Sequence, residues 1–298
     1  KITVISCLVA VIAAIMLAVV TTVVFMSFVG ALQEEETNTG VNVLSSEIRS
    51  DIEEMGDVAE LLIASSWGQI NNSDYDSTWA SNKPSEASFA AYINGDQAVW
   101  STENFPLSDD AIARVKAGGM KGVMAGGDKL YSVYCRPVEN GALVVGTDLN
   151  DLTYVDDVKE KTRAELTIFC GDTRYSTTIM DSSGVRSTGT KMDGGIWNMV
   201  QNSGTYIGKT AINGQSYYVN YTPMTDFNGQ VVGAYFAGYS TADADTELFK
   251  AIIISAAVLI AVCVGAGFLL FAVMNRLVRK PVAEVVKICG QLSAGELN

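Results

Sequence analysis

Two long stretches of this chain carry no charge at all, Ile2 to Leu32 and Ala251 to Met274. A helix needs about 20 apolar residues to cross a ~30 Å hydrocarbon core, and both stretches exceed that. The first is about twice the roughly 7–15 residues of a signal-peptide core, so the pattern favours a retained spanning helix over a cleaved leader. Because the chain starts with Lys1 rather than Met, further residues are expected upstream. Between the two stretches the pattern changes to spacings of three and four: Val41, Leu44, Ile48, Ile52, Met55, Ala59 and Leu62. That rhythm predicts a helix of about six turns with one apolar stripe, suited to a sheet or to a partner helix. The polar stretch "GQINNSDYDSTWASNKPSEAS" that follows is rich in helix breakers.

Two blocks of short β-type runs come next. In the first, "FAAYING" and "QAVWST" read as a hairpin about Asn94-Gly95. A short helix at 108–119 with Ser108 as N-cap follows, and then "KLYSVYCRPV" and "GALVVGTDL" about the turn "ENG". A linker helix within "DLNDLTYVDDVKEKTRAE" leads to the second block. There "LTIFC" and "TRYSTTIMD" are strands, "GGIWNMVQNSG" a short helix, and "TYIGKTAI", "QSYYVNYTPM" and "QVVGAYFAGY" three more strands. Each block reads as two strands, a helix and an antiparallel meander, an α+β layout with helices on one sheet face.

Charge orients the two spans. Lys1 precedes the first and Glu34, Glu35 and Glu36 follow it, whereas Arg276, Arg279 and Lys280 follow the second. Basic flanks stay inside, so both ends are expected in the cytoplasm and the segment between the spans outside. The chain has 33 acidic against 20 basic residues, and most of that excess lies between the spans. Such an exterior argues against nucleic acid and against adhesion to anionic lipid, but a local pair of arginines can still hold an anion. With no histidine in the chain, neither a histidine-based catalytic triad nor a histidine metal site can be built. No enzyme activity, metal or cofactor is expected. Cys135 and Cys170 are expected outside the membrane; they either pair or, more simply, remain free thiols.

The resulting order resembles the double Cache sensor module of methyl-accepting chemotaxis proteins. The second block carries most of the resemblance, through "LTIFCGDTRYSTTI", "GVRSTGT" and "GTYIGKTAINGQSYYVNYTPMTDFNGQVVGAYFAGY". The first block lacks the Arg-Trp-Tyr-Asp array of amino-acid-binding double Cache domains. The tail "NRLVRKPVAEVVKICGQLSAGELN" resembles the opening of a HAMP domain, with Pro281 in the first helical turn, a Val282–Val285–Val286–Cys289–Leu292 stripe and a turn at Gly295–Leu297. The implied organisation is a membrane helix (1–32), a long outer helix and linker (33–86), a membrane-distal module (87–150), a linker helix (151–164), a membrane-proximal module (165–248), a second membrane helix (249–274) and the start of HAMP (275–298). The implied fold is α+β, two PAS-like antiparallel sheets on a long N-terminal helix. The implied function is a dimeric transmembrane chemoreceptor that binds a small solute and acts on a cytoplasmic signalling module and kinase-coupling proteins. A sensor histidine kinase or diguanylate cyclase would share this input half.

Two sets of residues are candidates for the solute. In the proximal block, strand alternation puts Arg174, Ser176 and Thr178 on one face and Tyr175, Thr177 and Ile179 on the other. A guanidinium among hydroxyls suits a carboxylate, and Tyr206, Tyr217 and Tyr221 on later strands can add walls and donors. The competing structural role for Arg174 is an ion pair with Asp172 or Asp181. In the distal block, Tyr92, Trp100, Tyr131, Tyr134 and Arg136 offer aromatic walls and one cation. The residue chemistry favours the proximal set, and the resemblance favours the distal block.

Overall fold

The computed structural model describes residues 2–64, 75–82, 87–94, 97–102, 112, 113, 115, 119–138, 141–202 and 204–293. The turn at Gly95, most of the helix expected at 108–119, Glu139 and Asn140 of the "ENG" turn, the turn at 295–297 and Lys1 lie outside the described residues. The chain divides into two units, one of Lys1–Ala31 with Ala242–Asn298, the other Leu32–Thr241.

Within the first unit, helix α5 (Ala242–Met274) passes through a π-helical segment (Asn275–Arg279) into helix α6 (Lys280–Ser293). Among the described residues two helices, α1 (Ile2–Leu62) and the α5–α6 run, are long and apolar enough to cross a membrane. Their apolar side chains there are uncovered by protein: Leu17, Phe28, Phe268 and Leu269 are all exposed. An apolar surface of that extent on a helix is what lipid, rather than water, solvates.

The second unit holds two five-stranded antiparallel sheets of one topology. The distal sheet comprises β1 (Phe89–Asn94), β2 (Gln97–Ser101), β3 (Met120–Gly126), β4 (Lys129–Val138) and β5 (Gly141–Asp148), in the order β2-β1-β5-β4-β3. The proximal sheet comprises β6 (Glu165–Cys170), β7 (Thr173–Thr177), β8 (Tyr206–Ile212), β9 (Gln215–Thr225) and β10 (Val231–Ser240), in the order β7-β6-β10-β9-β8. The two orders superpose strand for strand, so the repeat read in the pattern is a repeat of topology. Helix α3 (Thr153–Thr162) joins the modules, and helix α4 (Gly194–Gln201) covers the proximal sheet. Two elements escape the sequence pattern. Helix α2 (Tyr75–Asn82) lies in the stretch read as breakers. Strand β3 is not read from the sequence, because Gly122 and Gly126 break its alternation and Gly119 and Gly127 flank it.

The apolar stripe of α1 goes to the chain's own sheets. Val41, Leu44, Ile48 and Ile52 pack with Leu166, Ile168, Met224 and Ala237 of the proximal sheet, while Met55, Val58, Ala59 and Leu62 pack with Tyr92, Leu143 and Val145 of the distal sheet. That stripe is therefore covered and is not available to a partner helix. Two glycines let α1 come this close. A Cβ on Gly40 would stand 2.8 Å from the Cβ of Ala237, and one on Gly56 would meet the Tyr134 ring at 3.0 Å. The opposite sheet faces hold separate cores, Phe89, Tyr131, Val133 and Val144 in the distal module, and Phe169, Ile196, Tyr221 and Phe236 in the proximal one. Cys135 and Cys170 are both free thiols.

Candidate functional site

Strand β7 does not alternate as a regular strand would. Thr177 pairs with Thr167, Ser176 with Ile168 and Arg174 with Phe169, so the register slips by one residue at Tyr175. The extra residue is a β-bulge, and it reassigns the faces. Arg174 shares the face of Phe169, in the core beneath α4, whereas Ser176 shares the face of Ile168, in the core beneath α1. The expected Arg174–Ser176–Thr178 face is thus broken. Ser176 is fully buried on the far side, and its hydroxyl has no hydrogen-bond partner. Thr178 accepts from Leu166 N at 2.9 Å and donates to Glu165 Oε2 at 2.5 Å, which fastens the start of β6.

Arg174 itself is 6% exposed. Its Nη1 donates to Thr190 Oγ1 at 2.7 Å, its guanidinium lies 5.3 Å from the centre of the Phe169 ring, and its Nε is buried without a partner. Neither carboxylate proposed to neutralise it does so. Asp172 pairs with Lys191 at 2.8 Å, and Asp181 accepts from Ser183 N and Val185 N to close its own turn. Burial draws the Arg174 pKa down, partly offset by the Tyr221 phenol, yet an arginine stays charged in a protein. The result is a desolvated cation with no anion against it among the described residues.

The loop after β7 holds this arrangement in place. Arg174 N donates to Thr190 O and Gly189 N to Arg174 O, both at 2.8 Å, so residues 186–192 run alongside the strand. Arg186, the other guanidinium of the stretch, is committed elsewhere. It donates to Thr177 O at 2.7 Å and to both oxygens of Asp156 on α3 at 2.8–2.9 Å. A cavity of about 170 Å³ opens beside Arg174. Its walls are Thr190 to Asp193 of the loop, Ile196 of α4, Thr210 to Asn213 at the end of β8, and Tyr221 of β9. Tyr221 is 2% exposed, packed against Phe169 and Phe236, and its phenol is pushed up to about 12 by burial, so it remains a neutral donor. Asp193 caps α4 through Gly195 N and Ile196 N, both bonded to one carboxylate oxygen. Tyr206 stands opposite Tyr221 in the register, 6.2 Å ring to ring, and its hydroxyl donates to Lys209 O, so it buttresses the wall without lining the cavity.

Three of the five distal candidates, Tyr92, Trp100 and Tyr134, share the core between α1 and the distal sheet. Tyr92 and Trp100 stack around Tyr75, with Trp79 edge-on to Trp100, and Trp100 Nε1 donates to Asp76 at 2.7 Å. Tyr134 packs on the α1 side against Gly56, and Arg136 pairs with Glu60 at the surface. Tyr131 points to the other face of the sheet, edge-on to Phe89 at 4.9 Å. The structure therefore joins Arg174 and Tyr221 at one cavity, gathers Tyr92, Trp100 and Tyr134 in the distal core beneath α1, and sets Tyr131 on the opposite face of the sheet. Among the lining residues missed by pattern are Met192, Asp193, Ile196 and Asn213. Of these, Asp193 before "GGIW" is a legible N-cap and Asn213 a legible turn residue, but nothing local marks either as facing Arg174.

Against this geometry the family comparison falls on the same module. Residues 141–251 match the single Cache domain 3 family. The match begins at β5, runs through α3 and the whole proximal module, and ends within α5. No curated protein matches the sequence. Among solved structures, the Vibrio cholerae LuxQ periplasmic domain is similar with a TM-score of 0.42 and 11% identity, over 71% of this chain and 98% of that one. The ligand-binding domain of the Pseudomonas aeruginosa amino acid chemoreceptor PctB gives 0.39 and 12%, over 73% and 97%. The sensor domain of the V. cholerae histidine kinase DctB gives 0.36 and 12%, over 70% and 96%.

Proposed function

We propose that the chain is a transmembrane chemoreceptor whose proximal Cache module holds a small carboxylate solute on Arg174. The observation that carries this reading is the buried guanidinium, paired with no carboxylate among the described residues, beside a cavity of about 170 Å³. A carboxylate there would take up the free Nε and approach the Tyr221 phenol, replacing the water that a buried cation loses. The cavity is below the ~300–1,000 Å³ of drug-sized sites, which suits a solute of a few non-hydrogen atoms. The module lies outside the cell with both chain ends inside, and the binding event biases the α5–α6 run, whose tail acts as the start of a HAMP domain in a dimer. The chain acts as a binding module and not as an enzyme. A ligand drives such a switch only through different affinity for its two states.

The test is a thermal-shift screen on the full chain in nanodiscs with acetate, propionate, pyruvate, lactate and succinate. A native-state ligand at 100 times its Kd stabilises by about 2.7 kcal/mol. One of these anions is expected to raise Tm, and Arg174→Gln is expected to abolish the rise. Fusion of the chain to a chemoreceptor signalling hairpin in a receptorless strain should then give swimming responses to the same anion. A panel with no Tm change, or one unaffected by Arg174→Gln, refutes the reading.

A further inference from the structure

A second and larger cavity, about 490 Å³, opens where α1 passes the seam between the two modules. It shares no residue with the Arg174 cavity, and its volume falls within the ~300–1,000 Å³ of small-molecule sites, which favour domain seams. Its floor is apolar and buried, made by Ile48 and Ile52 of α1 and Val123 of β3. With Thr222, Pro223 and Thr225 of β9 and Tyr235 of β10, four elements from both modules build it. At one end β3 pairs in parallel with the β9–β10 turn through Val123 and Asp226, and Phe227 of that turn packs into the distal core.

The charges around this cavity are unequal. Lys121 and Glu53 on its rim neutralise each other at 2.6 Å. Arg49, one turn before Glu53, enters no ion pair or hydrogen bond among the described residues. Tyr235 lines the same wall, and its hydroxyl likewise has no partner among the described residues. An unopposed guanidinium, a free phenol donor and an apolar floor ask for one kind of occupant. We propose that the seam cavity is a second solute site, for an organic anion with an apolar body such as an aromatic or branched-chain carboxylate. Its charge meets Arg49 and its body lies on Ile48, Ile52 and Val123.

The experiment is calorimetric titration of the full chain in nanodiscs with phenylacetate and isovalerate, with acetate and benzylamine as controls. Both apolar anions are expected to bind saturably, with benzylamine silent and acetate at least tenfold weaker at this site. Arg49→Gln, at an exposed position, should weaken phenylacetate tenfold or more while leaving Tm unchanged, and Ser45→Trp should block the cavity. Arg174→Gln should leave phenylacetate binding in place. Loss of phenylacetate binding in Arg174→Gln but not in Arg49→Gln overturns the seam site and leaves the Arg174 reading standing. Failure of both apolar anions to bind, or indifference to Arg49→Gln, also overturns it. Ser45→Cys tests the rival occupant: disulfide-linked dimers through that thiol would make the seam an interface between copies and sink the proposal, whereas a thiol that labels freely and is shielded by phenylacetate supports it.

Discussion

Replacing Arg174 by methionine separates a binding role from a structural one by the sign of the stability change. If Arg174 exists to hold the 186–192 loop, its loss removes a charged hydrogen bond to Thr190 and a contact over Phe169 and destabilises the module. The charged hydrogen bond is worth about 1.5–3 kcal/mol and the ring contact about 0.5–2 kcal/mol. Against those stands the desolvation of a guanidinium that is 6% exposed and has one nitrogen unsatisfied. That penalty is several kcal/mol even after relaxation. Methionine fills a similar shape, regains about 0.3–1.5 kcal/mol against the Phe169 ring, and leaves Thr190 donating to Ser187 O. The balance predicts a ligand-free Arg174→Met chain that is equal in stability or up to about 2 kcal/mol more stable. In a unit of this size that is a Tm rise of 0 to about 8 °C at roughly 2–4 °C per kcal/mol. Melting followed by tryptophan fluorescence reads it, since Trp197 sits on α4 above the same core. A fall of more than about 2 kcal/mol would place Arg174 among the buried groups that are held by their partners, and the anion-site argument would fail with it.

Other expectations follow from the same contacts. Gly40→Ala should destabilise by about 1–3 kcal/mol in urea titration despite alanine's better helix propensity, because the new Cβ would stand 2.8 Å from that of Ala237. Asp193→Ala should cost about 1 kcal/mol through the lost α4 N-cap, while Asp193→Asn should cost much less. Burial holds the Asp51 carboxyl above its ordinary value, against the pull of the Ser132 and Tyr154 hydroxyls, with Asp151 adding to the rise. A folded value above the unfolded one means stability that is complete below 3.8 and is lost as pH rises through the folded value. Asp51→Asn should flatten that slope in Tm measured across the acid range, and an unchanged slope would assign it to other groups.

The fold was legible where period and burial agree. The α1 stripe, the strands of the proximal block and the turns at Asn213-Gly214 and Asn228-Gly229 all fall where the pattern put them. Asn213 and Gly214 both adopt positive φ, as a two-residue hairpin turn requires. Strand β3 was illegible because glycines hide its alternation, and α2 because its aromatic face docks on Tyr92 and Trp100, a tertiary reason that no local signal carries. At the site, Arg174 and Tyr221 were named from the sequence, but the grouping with Ser176 and Thr178 assumed a regular strand. A bulge costs one residue of register and moves a side chain through the sheet, and the run "TRYST" contains nothing that announces it.

The bulge also ties the Arg174 cavity to the seam between modules. By taking Tyr175 and Ser176 together opposite Ile168, β7 presents Arg174 to the cavity and Tyr175 to the other side, where its hydroxyl donates to Asp148 at the end of distal strand β5 at 2.6 Å. Burial and that carboxylate hold the Tyr175 phenol well above its ordinary pKa, so the proton stays and the bond persists. The loop that closes the cavity has a second anchor of the same kind, since Arg186 clamps Asp156 of α3, the helix between the modules. A solute that displaces Arg174 or Thr190 must therefore work against, or with, contacts whose other ends lie on β5 and α3. A cavity sealed by its own module alone would let a ligand bind without consequence, because every contact it changed would be internal. Here the strand and the loop of the proposed site each carry a bond to the seam, so a solute that shifted either would also act on the seam, which is the coupling a sensor needs.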